Sequence, residues 1–300
     1  MDAKQKALRM IWNQIVKEDE NYYRSAQMPS GSVLSLDHAY HVDNDPMHRC
    51  DIARPENHKG KLPVILHIHG GGWVYGHKDS YYRYYAMEMS KYGYAVVTIN
   101  YRLAFEHPFP SMVEDIFSAL AWIEKNAEVE EFDINRVYLV GDSAGAHLSA
   151  LTSIIHKNPT LLEQYNLKQT KCNILACGLS CGVYDFDRLV HGDNPMPLRD
   201  TLMETIFNRK DFENHPLYKL SSVSYLMDHD FTPSYIISSE ADSLYNETKL
   251  LIDDCMKYHV NFRFHIFPES LQLPHVFNLK SIYPESKIVM DEMFAFFNSF

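Results

Sequence analysis

From residue 63 onward, short apolar runs alternate with stretches of helical spacing. The runs fall at 64–68, 95–99, 137–140, 174–179, 235–237 and 262–267, most of them bounded by Gly, Asn or Pro. Several are almost continuously apolar, which suits parallel strands buried on both faces rather than strands with one wet side. Between them, apolar positions recur at helix period over 81–92, 110–126, 144–157, 244–258 and 284–297. This alternation predicts right-handed βαβ crossovers. The expected fold is α/β, a mostly parallel, doubly wound sheet with helices on both faces. Residues 33–41 and 48–52 add candidate edge strands ahead of it.

Two segments break the rhythm. Near the amino terminus Leu8, Ile11, Trp12 and Ile15 follow i, i+3, i+4, i+7, the stripe of an amphipathic helix within 1–30. Residues 184–225 separate two strands by about forty positions, far more than the roughly 2–6 of an ordinary α/β loop. They carry Phe186, Phe207, Phe212 and Tyr218. A long insertion at the carboxyl end of a strand is placed to cover a ligand crevice. Both segments are therefore expected to form a small helical cap on a single domain spanning 1–300.

Composition narrows the function more than the fold. With 28 bases against 39 acids, the 300-residue chain has a formal net charge of -11, the wrong sign for a nucleic-acid binder. The same charge disfavours anionic membrane surfaces. Five cysteines, an odd number in a long chain, do not suggest a disulfide framework, and Cys177 and Cys181 read as buried thiols. No window approaches the ~18 consecutive apolar residues of a membrane span. The amino terminus also lacks the roughly 7–15-residue apolar stretch of a secretory signal. A cytoplasmic protein without a membrane span is the expectation.

The sharpest chemical signal is Gly141-Asp142-Ser143-Ala144-Gly145, between a predicted strand and a predicted helix. A nucleophile on such a turn needs small neighbours, because the backbone is strained and the side chain must stand above the sheet. His69-Gly70-Gly71-Gly72-Trp73 follows another strand. Three glycines in a row are entropically costly unless the backbone must approach a ligand closely, as in an oxyanion hole. Two rival readings are weak. Gly71 and Gly76 have phosphate-loop spacing, but His77 stands where that motif requires lysine. His67 and His69 imitate a metal pair without an acid-rich partner motif. A serine hydroxyl needs a base and an orienting acid. His147 shares a helix with Ser143 and is expected to be structural. His275, on the loop after the last strand, is better placed. Asp242, after the strand at 235–237, is the acid, with Glu240 its nearest competitor. The order Ser143, Asp242, His275 is that of an α/β-hydrolase triad.

Together HGGGW at 69–73, YRLAFEHPFP at 101–110, GDSAG at 141–145, EADSL at 240–244 and HVF at 275–277 resemble the hormone-sensitive-lipase-like branch of the α/β-hydrolases, the bacterial acyl esterases. The resemblance covers roughly 69–277. It implies Ser143 as nucleophile, His275 as general base and acid, and Asp242 as orienter. It also implies an oxyanion hole from the N–H groups of Gly71, Gly72 and Ala144, with Tyr101-Arg102 and His69 buttressing that loop. Phe105, Ser243 and Val276 depart from the family's usual proline, proline and glycine, and the loop at 268–274 is longer than usual. The expected activity is hydrolysis of small carboxylic esters, acetyl to butyryl, through an acyl-enzyme and without metal or organic cofactor. Alternatives on the same site are an amidase, formamidase or peptidase, or a non-catalytic ligand receptor. The last strand offers a sheet edge for pairing with a second copy, a homodimer.

Overall fold

The computed structural model describes residues 3–192 and 198–300. Among the described residues, eight strands form one sheet: β1 (Ser32–Ala39), β2 (Arg49–Pro55), β3 (Leu62–Ile68), β4 (Ala95–Ile99), β5 (Phe132–Asp142), β6 (Ile174–Ser180), β7 (Ser234–Ser239) and β8 (Phe262–Phe267). Their order is β1-β2-β4-β3-β5-β6-β7-β8. β1 and β2 pair antiparallel at one edge, and all pairings from β4 to β8 are parallel. Every residue of β3, β4 and β7 is buried. Their unbroken apolar runs thus reflect two covered faces.

Alternate side chains of each run serve different cores. Val64, Leu66, Ile68, Val137 and Leu139 pack with α3 (Ser111–Lys125), α4 (Ala144–Lys157) and α9 (Tyr245–Lys257). Ile65, Val96, Tyr138 and Val140 pack with α2 (Tyr81–Ser90) and α10 (Pro284–Phe297). The predicted α/β-hydrolase fold is the observed one. β5 extends beyond its predicted core at 137–140 because its polar first half pairs with Leu62 and Pro63 before a register shift. The short α5 (Pro159–Gln164), capped by Asn158, has too few turns to leave a periodic signal.

The remaining helices belong to the two irregular segments. α1 (Ala3–Ser25) is the amino-terminal helix, with Leu8 buried. α6 (Phe186–His191), α7 (Arg199–Ile206) and α8 (Val223–Leu226) lie within the long insertion, of which 193–197 fall outside the described residues. No helix among the described residues is long and apolar enough to cross a membrane. All five cysteines are buried free thiols, Cys177 and Cys181 among them.

Candidate active site

Every residue expected to carry chemistry leaves the sheet at the same edge. The glycine loop follows β3, Ser143 follows β5, Asp242 follows β7 and His275 follows β8. These are the carboxyl ends of four parallel strands, where α/β folds gather their ligand sites.

Ser143 has φ 52° and ψ -120°, outside the regions a side chain normally tolerates. Two close approaches hold it there. A Cβ on Gly145 would lie 2.0 Å from the Ile68 carbonyl oxygen, and one on Gly141 would lie 2.3 Å from the Gly145 carbonyl oxygen. The Ser143 N–H donates to the Ser180 carbonyl on β6 at 2.8 Å. α4 begins one residue later, so the dipole end of a helix stands behind the hydroxyl.

His275 Nδ1 lies 2.8 Å from Asp242 Oδ2. The other oxygen of Asp242 accepts the Leu244 N–H at 2.7 Å. Burial alone would raise the Asp242 pKa, but the His275 charge and these hydrogen bonds hold it below the usual carboxylate range. An ionised, acceptor-only Asp242 places the proton of neutral His275 on Nδ1 and leaves Nε2 as a base. Desolvation would lower the His275 pKa. Asp242, and behind it Asp142 and Asp19, outweigh this and raise it above the ordinary 6.5. Ser143 and His275 line the same cavity. No hydrogen bond joins the serine hydroxyl to the imidazole, a contact that in free enzymes often tightens only with substrate bound. Glu240 instead accepts the Glu269 N–H, away from His275.

The glycine loop has positive φ at Gly71 (109°) and Gly72 (57°). Among the described residues, no protein acceptor takes the N–H of Gly71, Gly72 or Ala144. Tyr101 buttresses this loop: its hydroxyl donates to the His69 carbonyl at 2.9 Å and its ring stacks on His69 at 4.1 Å. Arg102 is locked to Asp115 by its backbone N–H and its guanidinium.

The remaining histidines of interest are structural. Burial lowers the pKa of His67 and His69 to about 3 and that of His147 to about 4, so all three are neutral imidazoles. His147 accepts from Trp73 Nε1 at 3.1 Å and bonds the Ser221 carbonyl at 2.7 Å, tying the glycine loop to the insertion. Among the described residues, no third metal-type donor joins His67 and His69.

Asp142, the variable position of the serine motif, was not singled out by sequence reasoning, yet it fixes the glycine loop. Its Oδ1 accepts the Gly70 N–H at 3.1 Å and its Oδ2 accepts the Tyr82 hydroxyl at 3.0 Å. Burial pushes its pKa up to about 7, against the opposing influence of Tyr82, His275 and Gly70. Asp142→Ala would leave the Tyr82 hydroxyl without its acceptor and the Gly70 N–H held by that hydroxyl alone, loosening the loop. We expect kcat for an activated ester to fall about 10- to 100-fold with KM little changed, the scale of an ångström-sized misplacement. Asp142→Asn keeps an acceptor for Gly70 and should stay within about tenfold of wild type. Steady-state kinetics of the two variants check this.

A cavity of about 440 Å³ sits over Ser143. Its wall includes Leu8, Ile11, Trp12 and Ile15, the predicted stripe of α1, together with Leu202 of α7. Trp12 lies close over Gly72, where an added Cβ would be 2.5 Å from its ring. Asp19 pins the helix down, accepting from the Tyr75 hydroxyl at 2.9 Å and pairing with Lys280 Nζ at 3.2 Å.

A serine on a strained strand-to-helix turn and a histidine–carboxylate pair after later strands, on this sheet, define an α/β-hydrolase. The BD-FAE family model matches residues 50–251, more than half of the chain, and the chain belongs to that family. The curated relatives it matches include carboxylesterases and esterases, in keeping with the resemblance the motifs carry. Carboxylesterase NlhH of Mycobacterium tuberculosis (strain ATCC 25618 / H37Rv) is 38% identical over 93 residues, 31% of this chain and 29% of NlhH. Esterase LipQ of the same strain is 26% identical over 193 residues, 64% of this chain and 45% of LipQ. The chain spans less than half the length of the curated relatives it matches. Among solved structures, a tributyrin phosphonate-inhibited form of Esterase B from Lactobacillus rhamnosis is similar with TM-score 0.91 and 26% identity. That match covers 99% of this chain and 95% of the other. The Pyrobaculum calidifontis esterase shares the fold, with TM-score 0.76 and 21% identity over 100% of this chain and 93% of its own.

Proposed function

We propose that this protein is a serine hydrolase that cleaves small carboxylic esters of short acyl chain through an acyl-enzyme. The observation that carries the reading is the 2.8 Å bond between His275 and buried Asp242, at the rim of the cavity that Ser143 lines. His275 Nε2 takes the hydroxyl proton as Ser143 Oγ attacks the carbonyl carbon. The tetrahedral oxyanion accepts from the N–H groups of Gly71, Gly72 and Ala144. The intermediate collapses, the C–O bond to the alcohol breaks, and the imidazolium returns its proton to the departing oxygen. Water then adds to the acyl-enzyme with His275 again as base, releasing the acid and restoring Ser143.

The short-acyl preference draws on two supports. The cavity is finite and mostly apolar, at the small end of ligand pockets of roughly 300–1,000 Å³. Esterase B, similar over nearly its whole length, is described as inhibited by a tributyrin phosphonate. In this reading α1 and the helices of the long insertion form the cap, and the substrate reaches Ser143 beneath it. β8 ends the sheet with Phe264 exposed, an edge at which a second copy could pair.

A panel of p-nitrophenyl esters tests the proposal. We expect kcat/KM to peak between acetyl and butyryl and to fall for octanoyl and longer chains. A steady rise through long chains would replace the short-ester reading with a lipase. A matched anilide cleaved as fast as its ester would replace it with an amidase.

A further inference from the structure

The loop between β1 and β2 gathers three metal-type donors away from the cavity. Asp43 Oδ2 lies 3.0 Å from His41 Nδ1 and 2.8 Å from His48 Nδ1, and the three ligand atoms all fall within 4.8 Å of one another. His48 is buried, whereas His41 and Asp43 are exposed, so one side of the group is open to water.

The proton on His48 can be placed by elimination. Its Nε2 lies 3.1 Å from Asp115 Oδ1. Asp115 also accepts from the backbone N–H and guanidinium of Arg102, so its oxygens already serve as acceptors. The His48 Nε2 must therefore carry hydrogen. With hydrogen on Nε2, Nδ1 faces the Asp43 carboxylate oxygen 2.8 Å away, two metal-type donor atoms side by side. A metal ion shared with His41 fits between these donor atoms, since all three lie within 4.8 Å of one another. A histidine whose far nitrogen is held by a carboxylate is also how proteins orient metal-binding imidazoles.

The loop is set in advance. The buried Tyr40 hydroxyl bonds the carbonyls of Met47 and Asn100, and Asn100 Nδ2 donates to the Pro46 carbonyl. The Asp45 N–H occupies Asp43 Oδ1, which leaves Oδ2 to face the two imidazoles. Metal–ligand bonds of about 2.0–2.2 Å need N···O separations only a few tenths of an ångström wider than these. The exposed His41 and Asp43 can supply that movement.

We infer that His41, Asp43 and His48 form a binding site for a divalent transition ion, with Zn²⁺ the ion that best suits two imidazoles and one carboxylate. Water completes the shell. None of the three residues lines the cavity over Ser143, so the ion is structural. It clamps the loop to Asp115 and, through Arg102, to the segment carrying Tyr101. The inference does not depend on the proposed esterase activity.

The test uses the full chain, stripped with EDTA and dialysed, then titrated with Zn²⁺ by calorimetry and with Co²⁺ by visible absorption. One saturable high-affinity site is expected, with a thermal midpoint raised by several degrees at saturating Zn²⁺. His41→Gln and Asp43→Asn should each weaken binding by at least about tenfold. Because Asp43 also pairs with buried His48, each variant's Zn²⁺-induced rise in midpoint is measured from its own value in EDTA, and that rise should be lost in both. Cys181 lies with Asp242 and His275 in another cluster of metal-type donors, so Cys181→Ser serves as the control and should bind as wild type. The inference is overturned by the absence of a saturable site, by undiminished binding in both loop variants, or by loss in Cys181→Ser with the loop variants unaffected.

Discussion

Ser143→Ala is expected to lower kcat for p-nitrophenyl acetate by about 10⁴- to 10⁶-fold, the range found when a triad nucleophile is removed. The size of the effect follows from where the residue stands. Ser143 is held at φ 52° by two contacts that leave no room for a Cβ on either flanking glycine. A fold keeps a strained residue of this kind where its side chain has work to do. Removing the hydroxyl should cost little stability, because Ser143 caps no helix with its side chain. Residual activity is expected to come from the N–H groups of Gly71, Gly72 and Ala144, which would still polarise a bound carbonyl. Stopped-assay kinetics at high enzyme concentration, with circular dichroism to confirm the fold, check the result.

Asp242→Asn is expected to be nearly as damaging, lowering kcat by about 10³- to 10⁴-fold. The carboxylate fixes the Nδ1–H tautomer of His275, whereas an asparagine amide turned to donate would favour hydrogen on Nε2 and remove the base. The substitution should also move the pH profile. Only neutral His275 can take the serine proton, so kcat/KM falls as pH drops through its pKa. In the wild type that pKa is raised, because Asp242 outweighs desolvation, and the acid limb should lie above 6.5. With Asp242 neutralised, desolvation dominates and the limb should shift to lower pH. A pH–rate profile of the residual activity separates this from mere loss of fold, which would lower the rate without moving the limb.

The sheet was legible because both its faces are covered. Runs such as 64–68 and 95–99 need no alternation when each side chain, in or out, meets a helix. The motif residues were legible because close backbone approach restricts the choice of residue at Gly71, Gly141 and Gly145. The stripe of α1 was readable as a helix and its segment as part of a cap, but the contacts that attach it were not. Asp19 makes that attachment to Tyr75 and Lys280, 56 and 261 positions away, beyond any local pattern. Asp142 was hidden for a similar reason: its partners Gly70 and Tyr82 lie on other segments. Val276 was seen only as a departure from a usual glycine. Its φ of 53° supplies the physical reason that glycine suits the position.

The triad and the three N–H groups make one physical claim, that the alcohol of Ser143 is activated by His275 inside the cavity. Intact-protein mass spectrometry and peptide mapping after treatment with a fluorophosphonate test it most directly. One adduct per chain is expected, on Ser143, with loss of activity in step with labelling and no adduct in Ser143→Ala or His275→Ala. Full inactivation with Ser143 unmodified, or equal labelling in His275→Ala, would contradict it.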